Sequence, residues 1–114
     1  QQEGVSETDS GILYRVLTPG TGGKPKVDDT VVVHYRGTLV DGTEFDSSVR
    51  RGQPATFSLG GIIAGWQEAL QLMQEGARWE VVIPPELAYG SNGAGGAIGP
   101  HETLIFEIEL IEVK

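Results

Sequence analysis

The sequence predicts an α+β domain in which several antiparallel strands pack an apolar face against one short helix. Apolar and polar residues alternate along several stretches, as in half-buried strands. Residues 66–73 instead repeat apolar positions at intervals of three and four, as in an amphipathic helix. The length of 114 residues suits one domain, and 39% hydrophobic residues suffice for a single core.

The first ten residues are expected to lie outside this domain. Residues 1–10 are polar and carry no apolar stripe, so we interpret them as a linker or a frayed N-terminal tail. The domain is then residues 11–114. Its first strand is predicted over residues 12–18, and a cluster of turn residues and charges at 19–29 ends it.

A β-hairpin is predicted over residues 30–46. Apolar side chains share one parity of its first strand, at Val31, Val33, Tyr35 and Leu39. Asp41 and Gly42 form the strongest hairpin signal in the chain, because this pair tolerates the positive φ angles of a type I′ turn. A short strand is expected at residues 55–59.

The helix is predicted to begin just before Trp66. One buried stripe is formed by Trp66, Ala69, Leu70 and Met73, and Gly76 is the expected terminator. A strand starting at residue 78 should stop at the prolines 84 and 85, because proline cannot donate to a sheet. Residues 89–102 are a glycine-rich loop, and the alternation over residues 103–113 predicts the last strand.

Composition argues against several partners. The net charge of −8 makes a phosphate-neutralising surface unfavourable, so we expect neither nucleic acid nor anionic membrane as a partner. The absence of cysteine excludes disulfides and thiolate metal sites. No apolar run approaches the roughly 18 residues of a spanning helix, so membrane insertion is not expected.

Few residues suggest conventional acid-base or metal chemistry. His34 and His101 have no carboxylate or nucleophile near them in sequence, and we interpret both as surface histidines. Glu44 and Asp46 share a parity but lack a setting that would raise a pKa. The glycine clusters lack the strand, spacing and helix of a phosphate-binding loop. No cofactor and no metal site are therefore expected.

Aromatic residues are the notable feature. They come from different predicted elements, at Tyr35, Phe45, Phe57, Trp66, Tyr89 and Phe106. Aromatic side chains on buried faces usually form ordinary core. The pattern alone favours core, but the same residues could line an apolar binding pocket, and composition leaves both interpretations open.

The resemblance of four motifs to a known protein family favours a binding pocket over an ordinary core. The segments VHYRGTLVDGTEFDSS, IIAGW, LAYG and GPHETLIFEIEL occur in the order and spacing of the FK506-binding-protein family of peptidyl-prolyl isomerases, from about Gly11 to Val113. RGQPATF, GWQEALQLM and GAGGAIGP are similar to the macrophage-infectivity-potentiator branch of Gram-negative bacteria. In that branch a dimerisation region and a long helix precede the isomerase domain, so the resemblance implies that Gln1 lies at the end of that helix.

The resemblance implies a five- to six-stranded antiparallel sheet curled around one short α-helix. The implied activity is cis-trans isomerisation of X-Pro peptide bonds in an apolar pocket, which assists protein folding. The alternative is a proline-directed binding module or chaperone with little turnover. Implied partners are proline-containing peptides, unfolded proteins and the macrolide inhibitors rapamycin and tacrolimus. This chain would be monomeric and its full-length parent a homodimer, in the periplasm or at the outer membrane surface, with the cytoplasm as the alternative.

The resemblance also assigns roles to residues. Trp66 would form the pocket floor, its neighbours the walls, and Asp46 would face the polar part of a ligand. The Ile63 N–H and the Tyr89 hydroxyl would bond ligand carbonyls, and Arg51 would support Asp46. The implied catalytic residues are Tyr35, Phe45, Asp46, Trp66, Tyr89 and Phe106, and the implied substrate-binding residues are Arg51, Phe57, Ile62, Ile63, Ala88, Ala97 and Ile98.

Overall fold

A computed structural model describes residues 5–90, 93, 98, 99 and 101–114. In chain order the elements are β1 (Val5–Glu7), β2 (Leu13–Thr18), β3 (Thr30–Leu39), β4 (Glu44–Ser47), α1 (Ser48–Arg51), β5 (Ala55–Ser58), α2 (Ala64–Leu72), β6 (Arg78–Ile83) and β7 (Leu104–Val113). Short 3-10 turns at Leu59–Gly61 and Pro85–Leu87 precede α2 and follow β6.

All described strands belong to one antiparallel sheet. Its order is β1-β2-β6-β7-β3-β4, and β5 also pairs with β3. The predicted class, an antiparallel sheet with a short helix, is confirmed. The described part of the chain forms seven strands, because the short β1, β4 and β5 add to the four long ones. Helix α1 is a single additional turn of four residues.

The N-terminal segment differs from the predicted tail over residues 5–7. These residues form β1, with Val5 opposite Arg15 and Glu7 opposite Leu13. A tight turn at Gly11, whose φ is 96°, returns the chain into β2. Ser6 and Glu7 are exposed, so this edge strand has no apolar stripe for sequence analysis to detect. Backbone pairing alone places it in the sheet.

The hairpin between β3 and β4 is present, but its turn is not type I′. Gly42 has a φ of 92°, whereas Asp41 does not adopt a positive φ. The Gly42 N–H donates to the Leu39 carbonyl and the Leu39 N–H donates to the Thr43 carbonyl, both at 2.9 Å. This geometry matches the three-residue loop that ends in a left-handed glycine. Asp41 accepts a hydrogen bond from the Thr43 N–H at 3.0 Å, which favours this turn over the tighter one.

Helix α2 packs its apolar stripe on the inner face of the sheet. Trp66 is 5% exposed, and Ala69, Leu70 and Met73 are buried, as predicted. Gly65 allows the close approach, because a Cβ atom there would lie 2.5 Å from Cγ2 of Ile83. The helix ends at Leu72 and not at Gly76, because Met73 already has an extended ψ of 153°.

The outer face of the sheet is charged. Cross-strand neighbours on this face include Arg15 with Glu80, Glu80 with Glu107, and Glu107 with Arg36. This side therefore faces water while the opposite side holds the core. Neither of the two helices in the described residues has the length and apolar character needed to cross a membrane.

Candidate active site

A cleft of about 300 Å³ lies between the inner face of the sheet and the start of α2. We call it the aromatic cleft, and its lining residues are Tyr35, Phe45, Asp46, Phe57, Gly61, Ile62, Ile63, Trp66, Tyr89 and Phe106. All were expected from the sequence except Gly61, which immediately precedes the predicted isoleucine pair. Tyr35, Trp66 and Phe106 are 6%, 5% and 3% exposed. The same rings therefore belong to the core and line the cleft.

Trp66 lies at the centre of the ring cluster. Its indole meets Tyr35, Phe57 and Phe106 at nearly right angles, with ring centroids 5.1, 5.5 and 5.1 Å apart. Phe106 in turn meets Phe45 edge-on at 5.6 Å. Edge-to-face pairs at these separations are favourable, so each ring fixes the orientation of the next. Three rings therefore pack around the indole, which itself lines the cleft.

The start of α2 presents backbone groups to the cleft. Ile63 is the N-cap, and its carbonyl accepts hydrogen bonds from the N–H groups of Trp66 and Gln67 at 3.0 and 3.1 Å. The Gln67 side chain donates to the Ile62 carbonyl at 2.7 Å and holds this loop. The Ile63 N–H has no hydrogen-bond partner within the described part of the chain. This N–H is therefore free to bond a ligand.

A hydrogen-bonded cluster of Tyr35, Asp46 and Arg51, which we call the charged corner, adjoins the rings. The Tyr35 hydroxyl donates to Oδ2 of Asp46 at 2.5 Å, and Nη1 of Arg51 donates to Oδ1 of Asp46 at 2.5 Å. Nη2 of Arg51 also donates to the Tyr35 hydroxyl at 2.9 Å. The Ser47 N–H donates to Asp46 as well. The Asp46 carboxylate is thus held by three donors, as the resemblance implied for Arg51.

These contacts fix the ionisation states of the corner. Burial raises the pKa of Tyr35 above its ordinary 10.0, and the hydrogen bond to Asp46 adds to this effect. Burial also acts to raise the pKa of Asp46. However, the hydrogen bonds from Tyr35 and Arg51 and the charge of Arg51 outweigh burial, so the pKa of Asp46 lies below its ordinary 3.8. At neutral pH the corner therefore holds a phenol and a carboxylate.

The other predicted site residues lie around the cleft. Arg51 contacts the corner but does not line the cleft. Ala88 is half-buried and packs against the core. Ile98, expected at the rim, is 7% exposed and belongs to the same core cluster as the cleft rings. Ala97 lies outside the described residues. Tyr89 lines the cleft and is 39% exposed.

A larger groove of about 410 Å³, which we call the charged groove, lies on the outer face of the sheet. Most of its charged side chains already pair with one another: Arg36 and Arg50 with Glu44, and Arg78 with Glu107. The groove therefore offers a ligand few charged groups that are not already engaged. No three histidine, aspartate or glutamate side chains come together as metal ligands anywhere in the described residues. The aromatic cleft is therefore the candidate site.

Known proteins match both the sequence and this geometry. A family model described as FKBP-type peptidyl-prolyl cis-trans isomerase matches residues 22–111. An FKBP-type 22 kDa peptidyl-prolyl cis-trans isomerase of Escherichia coli strain K12 is 55% identical over 113 residues, which cover 99% of this chain and 55% of that protein. The outer membrane protein MIP of Legionella longbeachae is 55% identical over 111 residues, which cover 97% of this chain and 48% of that protein.

A solved structure agrees with them. The crystal structure of FkpA from Escherichia coli superposes with a TM-score of 0.96 at 48% identity, covering 100% of this chain and 53% of that one. The chain spans about half the length of the curated relatives that it matches. With a family model over residues 22–111 and a shared fold at this identity, the chain belongs to the FKBP-type peptidyl-prolyl cis-trans isomerase family.

Proposed function

We propose that this domain catalyses cis-trans isomerisation of X-Pro peptide bonds in the aromatic cleft. The observation that carries the proposal is an apolar, ring-lined cleft whose one charged side chain, Asp46, is already held by three donors. The lining residues in the described part of the chain include no serine, cysteine, histidine or lysine. Such a site suits a reaction that requires neither a nucleophile nor a proton transfer.

X-Pro isomerisation is such a reaction. Rotation must break amide resonance, against a barrier of roughly 18–20 kcal/mol that makes it take tens to hundreds of seconds. The twisted amide has lost conjugation, so it is less dipolar than the planar ground state. Water stabilises the planar form more, whereas a dry aromatic environment favours the twisted form. The cleft would then lower the barrier by binding the twisted amide preferentially.

The hydrogen-bonding groups would orient the substrate. The unpaired Ile63 N–H and the Tyr89 hydroxyl are suited to donate hydrogen bonds to two peptide carbonyls of the substrate. Tyr35 and Arg51 would keep Asp46 fixed so that the rotating amide meets no competing mobile charge. Trp66 and its ring neighbours would contact the proline itself.

A proline-limited peptide assay tests the proposal and separates it from a binding module with little turnover. We expect the wild-type chain to accelerate isomerisation, and Trp66→Leu to lower kcat/KM about tenfold or more while the fold survives, because leucine still fills much of the helix stripe. Trp66 fluorescence should change when a proline peptide binds. Trp79→Phe provides the background in which only Trp66 emits. Binding without acceleration would instead identify a binding module.

The pH dependence is a second test. Because the pKa of Asp46 is lowered below 3.8 and that of Tyr35 raised above 10.0, kcat/KM should be nearly flat from about pH 5 to about pH 9. The Asp46 carboxylate contributes stability above its unfolded pKa, and this contribution is lost only as pH falls through the lower folded value. Asp46→Asn should reduce kcat/KM without creating a new limb. A bell-shaped profile that vanishes in Asp46→Asn would make Asp46 an acid or base and exclude this mechanism.

The wider assignments extend this proposal. Proline-containing peptides and unfolded proteins would be substrates, and rapamycin and tacrolimus would compete for the same cleft. An envelope location, in the periplasm or at the outer membrane surface, is supported by the relative named outer membrane protein MIP. We propose that the chain is monomeric and that a longer parent forms a homodimer. Sedimentation of both would test this.

A further inference from the structure

Strand β3 has a gap in its pairing, opposite the cleft residue Tyr35. On one edge β4 pairs with β3 up to Arg36, and β5 resumes the pairing at Val33. His34 and Tyr35 lie between these positions, in a fully described part of the chain. Between β4 and β5 the chain instead runs through α1, so the backbone does not supply the missing ladder bonds.

Ser48 fills this gap with its side chain. Its hydroxyl accepts a hydrogen bond from the Tyr35 N–H at 2.7 Å. The same hydroxyl donates a hydrogen bond to the Tyr35 carbonyl oxygen at 3.3 Å. In an antiparallel strand the N–H and C=O of one residue point to the same edge. One hydroxyl therefore satisfies both groups that the ladder leaves open, and Ser48 is completely buried while doing so.

His34 provides the third contact. Its Nδ1 lies 2.8 Å from Oγ of Ser48, and its ring lies on the outer face, among the residues of the charged groove. A hydroxyl has one proton and two acceptor lone pairs. It satisfies all three partners at once when His34 carries its proton on Nδ1. The hydrogen-bonding capacity of Ser48 is then fully used.

We propose that Ser48 is a positioning residue for the isomerase site. It holds the β3 backbone at Tyr35, and thereby holds the Tyr35 hydroxyl on Asp46 and the Tyr35 ring against Trp66. This inference rests on the proposed function, because its consequence for turnover presumes that the aromatic cleft is the site. Its structural part concerns Tyr35 alone and can be measured without substrate.

The first test is Ser48→Ala in the proline-peptide assay. Loss of the hydroxyl leaves buried backbone groups of Tyr35 unpaired, and we expect kcat/KM to fall on the order of tenfold. Thr8→Ala is the matched control. It also removes a side-chain bond to a backbone N–H, that of Ile12 at 3.1 Å. Neither Thr8 nor Ile12 lines the cleft, so kcat/KM should stay within about twofold of wild type.

A double-mutant cycle separates positioning from a general loss of stability. In a Tyr35→Leu background, where both the hydroxyl and the ring to be positioned are absent, Ser48→Ala should cost no more than about threefold. The same tenfold factor in both backgrounds, or a Ser48→Ala enzyme with wild-type kcat/KM, would overturn the proposal. If Ser48→Ala does not fold, Ser48→Cys keeps a side chain of similar shape with a much weaker donor and should show the same pattern.

A measurement without substrate keeps the two proposals distinguishable. The Tyr35 and Trp66 ring centroids are 5.1 Å apart, so NMR cross-relaxation between their protons reports the ring position. It should weaken in Ser48→Ala and remain unchanged in Thr8→Ala. Unchanged cross-relaxation in Ser48→Ala would refute the positioning role, even if the wild-type chain showed no isomerase activity. Weakened cross-relaxation in a chain with no activity would support positioning and refute the proposed function.

Discussion

Replacing Phe106 with alanine should be among the most damaging single changes to this domain. Phe106 is 3% exposed and packs edge-on against both Trp66 and Phe45. Removing a buried phenylalanine costs about 3–5 kcal/mol of unfolding free energy. That is a large part of the roughly 5–15 kcal/mol that stabilises a typical domain. We expect a sharply lowered thermal midpoint, measurable by circular dichroism, and loss of most isomerase activity.

Two further variants separate the contribution of the aromatic wall to catalysis from its contribution to stability. Phe106→Leu keeps much of the buried volume, so its stability should fall by only about 1.5 kcal/mol or less, while kcat/KM still falls because the ring face is lost. Tyr89→Phe removes a single hydroxyl from an exposed residue and should cost less activity than either change. If Tyr89→Phe were more damaging than Phe106→Leu, hydrogen bonding rather than the aromatic wall would dominate catalysis.

Gly37→Ala is expected to disrupt the cleft by adding one carbon atom. A Cβ atom at this position would lie 2.7 Å from Cζ of Phe45 and 2.8 Å from Cε1 of Phe106. Both rings would have to move, and overpacking of this kind costs about 1–3 kcal/mol. The displaced rings are cleft walls, so we expect kcat/KM to fall by more than about tenfold, which corresponds to 1.4 kcal/mol of transition-state stabilisation.

Gly23→Ala is the matched control. A Cβ atom at Gly23 meets no atom within 4 Å, and the backbone there does not require a positive φ. Its stability and kcat/KM should both stay close to wild type. At such a position the lower backbone entropy of alanine in the unfolded chain is neutral or stabilising. Comparable losses in Gly23→Ala and Gly37→Ala would therefore show that contact with the two rings is not the cause of the effect.

The long elements could be predicted because their patterns are periodic over many residues. The alternation that defines β3 and β7 and the stripe at Trp66, Ala69, Leu70 and Met73 reflect which side chains must leave water, and burial follows that pattern. Resemblance added the identities of nine of the ten residues that line the aromatic cleft. Periodicity alone could not distinguish cleft from core, because here the same rings serve as both.

Short-range features were less predictable because backbone hydrogen bonds decide them. Edge strand β1 has no apolar pattern, and its place follows from pairing with β2. The turn at Gly42 has three residues because of the bonds between Leu39 and the residues that follow it. Ile98 was expected at the cleft rim and lies in the core cluster together with the cleft rings, so its contact with a substrate stays a prediction.

The sequence by itself determined the fold class, the apolar face and the residue types from which a dry site can be built. Only the tertiary structure decided how Tyr35 is held. Ser48 and Tyr35 are 13 residues apart, and nothing in their spacing shows that a break in the sheet edge brings them together. A buried N–H and C=O must find partners wherever the folded chain provides them. Such partners depend on the path of the whole chain, which local pattern does not record.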